Sequence, residues 1–102
     1  MSKQNPSTAG NFSELLDPSA FCSLDEVCIA CNVDADWIVD LVQQGAIDAI
    51  GEVQPDWQFT SITITRVAKA KRLQRDLELN PSAIALVLDL LDQIQELRRR
   101  AT

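Results

Sequence analysis

Any chemistry in this sequence must come from carboxylates and thiols, because its 102 residues include no histidine and no tyrosine. The carboxylates are concentrated. Asp25, Glu26, Asp34, Asp36, Asp40, Asp48, Glu52 and Asp56 lie between Ser23 and Phe59, and no basic residue occurs from Gln4 to Thr65. General acid–base work needs a carboxyl group held where its proton affinity matches the task. None of these acids sits in an apolar run that would raise it, and no glycine-rich loop offers a phosphate cradle, so catalysis has little support. Cys28 and Cys31 form a C-x-x-C pair, with Cys22 nearby. With no histidine and no fourth cysteine, a closed zinc site of His and Cys ligands is unavailable. Neither metal nor other cofactor is expected, and on a helix such cysteines behave as small buried apolar groups. Three closely spaced thiols suggest a reducing, cytoplasmic setting rather than a disulfide framework.

The acids therefore act through their field. Residues 1–65 hold ten acids against Lys3 alone, a balance of −9, whereas residues 66–102 hold eight bases against five acids, a balance of +3. An acidic half repels phosphate backbones and attracts basic protein surfaces. No stretch approaches the roughly 18–20 apolar residues of a membrane span. The run Ala83–Leu91 is interrupted by Asp89, and the first residues contain no apolar signal region.

The elements that must position the acids are readable in order. Residues 1–20 are expected to be a flexible N-terminal tail, 21–79 a head, and 80–102 a long C-terminal helix. Ala20-Phe21-Cys22 reads as a short extended segment. Ser23 and Glu26 form a capping box that opens a first helix with Leu24, Val27, Cys28 and Cys31 on its apolar face. Asn32 stands where a left-handed turn residue is needed, and Val33 plugs the turn. Asp34 is expected to cap a second helix running to about Gln44, with Ile38, Leu41 and Val42 inward and Gly45 as its stop. Ile47–Ile50 and Trp57–Phe59 read as the strands of a hairpin around a loop at Gly51–Asp56. Ile62–Thr65 is β-branched and alternating and could extend the strand; the favoured reading is a helix capped at Thr60 or Ser61, with Ile64, Val67, Ala68, Ala70, Leu73 and Leu77 inward. Its bases Arg66, Lys69, Lys71, Arg72 and Arg75 are expected on a solvent face.

Asn80-Pro81 opens the last helix. Ile84, Val87, Leu91 and Ile94 form one stripe, and Leu86, Leu90 and Leu97 a second. One stripe is needed for docking, which leaves apolar surface for a partner helix; Val87, Leu91 and Ile94 are the expected dimerisation residues of a homodimer. The fold class is mainly α: a winged helix-turn-helix with a small β-hairpin wing and a long C-terminal helix. Such heads usually meet DNA through basic side chains on the second helix and wing. Here those positions offer Asp36, Val39 and Asp40, then Glu52, Gln54 and Asp56, so direct nucleic-acid binding is not expected.

This order of elements resembles the winged head of MerR-type regulators. It is more similar to a divergent branch, the bacterial chaperone modulators of the CbpM family. The residues that carry the similarity are SLDEVCIACNVDADWIVDLVQQGAID, DWQF at Asp56–Phe59, AKRLQRDLELN and IALVLDLLDQIQEL, within residues 22–97. The resemblance implies binding to the J-domain of CbpA, a DnaJ-like co-chaperone that also binds curved DNA. It further implies restraint of that protein's work with the Hsp70 DnaK and of its DNA binding. Charge then selects the expected contacts: Asp34, Asp36, Asp40, Glu52 and Asp56 against the basic Hsp70-docking face of the J-domain, with Trp37 as apolar anchor. The alternatives are a MerR-like DNA-binding transcription regulator and a scaffold acting through its last helix.

Overall fold

The computed structural model describes residues 17–101. The segment 1–16, where most of the expected tail falls, lies outside the described residues. Asp17 to Ala20 make a turn: the Asp17 carboxylate accepts from the backbone N–H (2.9 Å) and hydroxyl (2.8 Å) of Ser19, and its carbonyl accepts from Ala20 (3.0 Å).

Four helices and one small antiparallel sheet follow. β1 is Cys22–Ser23, α1 Leu24–Cys31, α2 Ala35–Gln43, β2 Gln58–Phe59, α3 Ser61–Leu77 and α4 Pro81–Ala101, with a 3-10 turn at Gln54–Asp56. The fold class is the expected one. The ends of the helices explain why. The Ser23 hydroxyl accepts from Glu26 N–H (3.1 Å) while the Glu26 carboxylate accepts from Ser23 N–H (2.8 Å), so the capping box closes both ways. Asn32 takes the left-handed conformation at φ 56°. That lets Val33 N–H reach the Cys28 carbonyl at 3.0 Å. Gly45, at φ 79°, ends α2 similarly: Gly45 N–H bonds Val42 O (3.0 Å) and Ala46 N–H bonds Leu41 O (2.9 Å), a Schellman closure. Thr60 caps α3 through Thr63 N–H (3.3 Å), and Asn80 caps α4 through Ala83 N–H (2.9 Å). Asp34 occupies the N-cap of α2 as expected, but its side chain makes no capping bond. It remains exposed as a charge.

The core draws on every helix. Val27, Ile38, Leu41, Phe59, Ile64, Val67 and Ile84 are fully buried, with Cys22, Ile47 and Leu88 almost so. Burying one such aliphatic or aromatic side chain stabilises by about 1.5–3 kcal/mol. Phe59 anchors β2 beneath Trp57, whose ring meets it edge-on at 6.2 Å.

Three expectations need correction. The hairpin strand Ile47–Ile50 shrinks to a single bridge, Ile50 with Gln58, and β2 finds its ladder partner in β1 instead: Cys22 opposite Phe59, Ser23 opposite Gln58. Before Ile50, the Ala46 and Asp48 carbonyls accept from Arg66 and Thr63 of the following helix rather than from a neighbouring strand. Secondly, neither stripe of α4 docks whole: Ile84 of the first is buried together with Ala85 and Leu88, which belong to neither. Full burial is confined to its first turns; Leu91 and Ile94 stay 42% and 45% exposed. Thirdly, Leu77 at the end of α3 is exposed rather than inward.

The bases of α3 are also less free than expected. Arg66 Nε donates to Ala46 O (2.8 Å), and its guanidinium pairs with Asp92 (2.6 Å) and Asp89 (3.8 Å) of α4. Lys71 Nζ donates to Cys31 O (2.9 Å) and Asn32 O (3.1 Å), closing the carbonyl end of α1. These two cations tie α3 to the helix-turn-helix and to α4.

Candidate partner-binding surface

α2 positions the first group of expected contacts. Ile38 and Leu41 point into the core with no exposure. On a 3.6-residue helix, Asp36 and Asp40 then fall on the opposite ridge, one turn apart. Both are exposed, and so is Asp34 at the start of the helix. Trp37 lies on the flank of the ridge. It is half-buried and packs on the core, so only part of the ring is available to a partner. Its indole Nε1 is buried without a hydrogen-bond partner.

The wing loop carries the second group. Glu52 and Asp56 are exposed. Gly51 makes the loop possible: it sits at φ 120°, and a Cβ there would stand 3.1 Å from the Asp56 carbonyl oxygen. The loop borders the start of α1, where Gln54 and Pro55 line a groove of about 280 Å³ with Ser23, Leu24 and Asp25. The expected contacts thus form two sets: Asp34, Asp36, Trp37 and Asp40 on α2, and Glu52 and Asp56 on a loop that neighbours Asp25. Asp25 and the wing residue Val53, 55% exposed, were not expected contacts. The available signal for Val53 was an apolar side chain in a polar turn.

Electrostatically the surface is uncompensated. None of the eight carboxylates between Ser23 and Phe59 forms an ion pair among the described residues. The pairs present are Arg66 with Asp89 and Asp92, Arg75 with Asp76, and Arg99 and Arg100 with Glu96, all in α3 and α4. Chemically, such a surface can attract and orient a cationic partner, and it opposes phosphate.

The thiols are unsuited to redox or metal work. All three are free, and burial pushes each above the ordinary thiol value of 9.0. Glu26 near Cys22, and Asp25 and Asp34 near Cys28, raise them further; Lys71 opposes the rise at Cys31. Reactive thiols need the reverse, an electropositive and accessible site. No group of three or more metal-ligating side chains converges among the described residues. Nor is any described helix long and apolar enough to cross a membrane.

The expected dimerisation residues lie on the undocked side of α4. Val87 is half-buried, and Leu91 and Ile94 join Leu86, Leu90 and Leu97 in one exposed apolar face, so the two stripes of the sequence merge into one.

Comparison with known proteins supplies the context for this geometry. The family described as MerR HTH family regulatory protein matches residues 22–102, from β1 through α4. The chain is similar to the chaperone modulatory protein CbpM of Coxiella burnetii (strain Dugway 5J108-111), 31% identical over 86 residues, covering 84% of this chain and 81% of the relative. It is also similar to CbpM of Pseudomonas entomophila (strain L48), 32% identical over 72 residues, covering 71% of each chain. The match to CbpM of Pseudomonas putida (strain GB-1) is likewise 32% over 72 residues. With the helix-turn-helix domain matched across most of the chain and relatives of this identity and coverage, the chain belongs to the CbpM family of MerR-type proteins.

Proposed function

We propose that this chain is a cytoplasmic chaperone modulator that binds the J-domain of a CbpA-type, DnaJ-like co-chaperone. By covering the J-domain's basic face, it blocks engagement of the Hsp70 DnaK and opposes DNA binding by the co-chaperone. The observation that carries this reading is the uncompensated acidity of α2 and the wing, on a head whose relatives are named as chaperone modulators. Asp34, Asp36, Asp40, Glu52 and Asp56 supply the charge contacts, and the exposed part of Trp37 supplies apolar contact. Charge steers the encounter, so association is salt-sensitive. A homodimer forms through the exposed face of α4, with Val87, Leu91 and Ile94 in its seam.

A titration against a purified J-domain tests the reading. Asp36→Lys with Asp40→Lys weakens binding by at least about tenfold, equivalent to ~1.4 kcal/mol. The loss shrinks in high salt, and Arg98→Ala leaves affinity unchanged. Absence of binding at micromolar concentration overturns the proposal. The MerR-type match favours one competing reading, a DNA-binding transcription regulator. A gel shift on duplex DNA that survives Asp36→Ala and weakens on Arg72→Ala would establish that reading instead.

A further inference from the structure

A second surface adjoins the acidic ridge at Asp34 and Trp37 and carries the opposite charge. Where α1 crosses α3, a groove of about 360 Å³ is lined by Ala30, Cys31, Ala68, Lys71, Arg72 and Arg75. The two alanines leave room for a main chain to approach closely. The cations retain hydrogen-bonding capacity. Arg72 has no hydrogen bond or ion pair among the described residues. Lys71 commits two of its three N–H groups to Cys31 and Asn32, and Arg75 is held through Nε by Asp76 alone. Lys71 is shared with an adjoining niche of about 250 Å³, lined also by Trp37, Gln74 and Asp34. Trp37 is the residue whose indole N–H is buried without an acceptor.

We propose that this groove binds a short acidic peptide segment of a partner protein in extended form. Its carboxylates meet Arg72, Arg75 and the free N–H of Lys71, and its far end reaches the niche beside Trp37. The occupant is a short acidic peptide and not a nucleic acid, because the groove is basic only between α1 and α3. At the Trp37 end Asp34 stands in its wall, and beyond it lies the acidic ridge of α2. A continuous phosphate backbone would run into that field. A peptide places its charges on alternate residues and can end before it. The chain then has two adjoining docking surfaces of opposite sign: the acidic one for a cationic partner, and the basic one for an acidic segment.

The test uses the full chain labelled with nitrogen-15 and capped hexaglutamate as probe, with capped hexaglutamine, tripolyphosphate and a short DNA duplex as controls. Hexaglutamate is expected to shift the amides of Ala30, Ala68 and Arg72 and the indole N–H of Trp37, while that of Trp57 stays in place. Hexaglutamine has no effect. Arg72→Gln weakens hexaglutamate binding at least tenfold, and Asp36→Lys with Asp40→Lys does not weaken it. Arg72 is exposed on α3, so its replacement keeps the fold, which the unchanged remainder of the spectrum verifies. The proposal is overturned by shifts confined to Arg98–Arg100, by tripolyphosphate or duplex binding as tightly as the peptide, or by no shift at millimolar peptide. It is likewise overturned if the groove resonances move with protein concentration alone, since a second copy would then be the occupant. None of these outcomes depends on the J-domain titration.

Discussion

Arg66 is where the structure makes its sharpest demand on a single side chain. The guanidinium is 21% exposed and holds three elements: α3 that carries it, the Ala46 carbonyl just after α2, and Asp89 and Asp92 of α4. Two kinds of interaction meet there, and their magnitudes differ. The bond from Nε to Ala46 O, 2.8 Å long and partly buried, is a charged donor on the backbone of a buried residue. Such bonds contribute about 1.5–3 kcal/mol, and removing the donor strands the acceptor. Asp89 and Asp92 are 64% and 54% exposed, so their pairs with Arg66 contribute roughly 0.2–1 kcal/mol each. Arg66→Ala should therefore destabilise by about 2–4 kcal/mol, and Asp92→Ala by less than about 1 kcal/mol. For a domain of this size 1 kcal/mol moves Tm by roughly 4–8 °C, so Arg66→Ala lowers Tm by about 8–32 °C. Circular dichroism melts at fixed protein concentration, in 0.15 and 1 M salt as assay conditions, separate the contributions. Most of the Arg66→Ala loss persists in high salt because a backbone bond at short range is little screened. Arg66→Lys restores little, because an ammonium cannot reproduce the fork that reaches two directions at once. If Asp89→Ala with Asp92→Ala reproduces the full loss, or if 1 M salt abolishes it, the surface pairs carry the clamp and the reasoning is wrong.

Two further predictions concern the core and the thiols. Leu88 is 1% exposed and Leu90 47%. Leu88→Ala should cost about 2–5 kcal/mol in urea unfolding. Leu90→Ala should cost well under that while shifting sedimentation towards monomer; equal costs for the two would place the docked face of α4 elsewhere. The three thiols are pushed above 9.0, so the folded chain holds these protons more tightly than the unfolded chain. Their contribution is fully present below the ordinary thiol value and is lost as pH rises through the raised one. Urea midpoints should therefore fall more steeply above pH 9 than in Cys31→Ala, and native thiols should resist alkylation at neutral pH. Rapid labelling without denaturant would contradict the buried setting.

The charge arrangement bears directly on recognition. A helix-turn-helix places its second helix and wing outward whatever their side chains are, because Ile38, Leu41 and Phe59 decide what goes inward. The exposed ridge is free to vary. Here it carries Asp36 and Asp40 where a DNA reader needs cations, and all the ion pairs of the described residues lie in α3 and α4. The head's acids therefore keep their charge available to a partner.

What the sequence determined by itself was local. The caps at Ser23, Thr60 and Asn80, the left-handed turns at Asn32 and Gly45, and the inward stripe of α1 and α2 follow from rules that act over three or four residues. The sign of the field on α2 and the wing is likewise a matter of composition. Choices between competing long-range partners needed the tertiary structure. β2 could pair with Ile47–Ile50 or with the segment before α1; the Ala46 and Asp48 carbonyls bond to α3 side chains instead, and β2 pairs with Cys22–Ser23 and keeps a single bridge at Ile50. α4 offered several overlapping apolar faces of similar hydrophobicity, and only the shape of the head selected Ile84, Ala85 and Leu88. Arg66 and Lys71 looked like solvent-facing cations, because nothing local reveals a backbone carbonyl twenty or forty residues away. Periodicity reports which residues are apolar together; packing decides which apolar face is used.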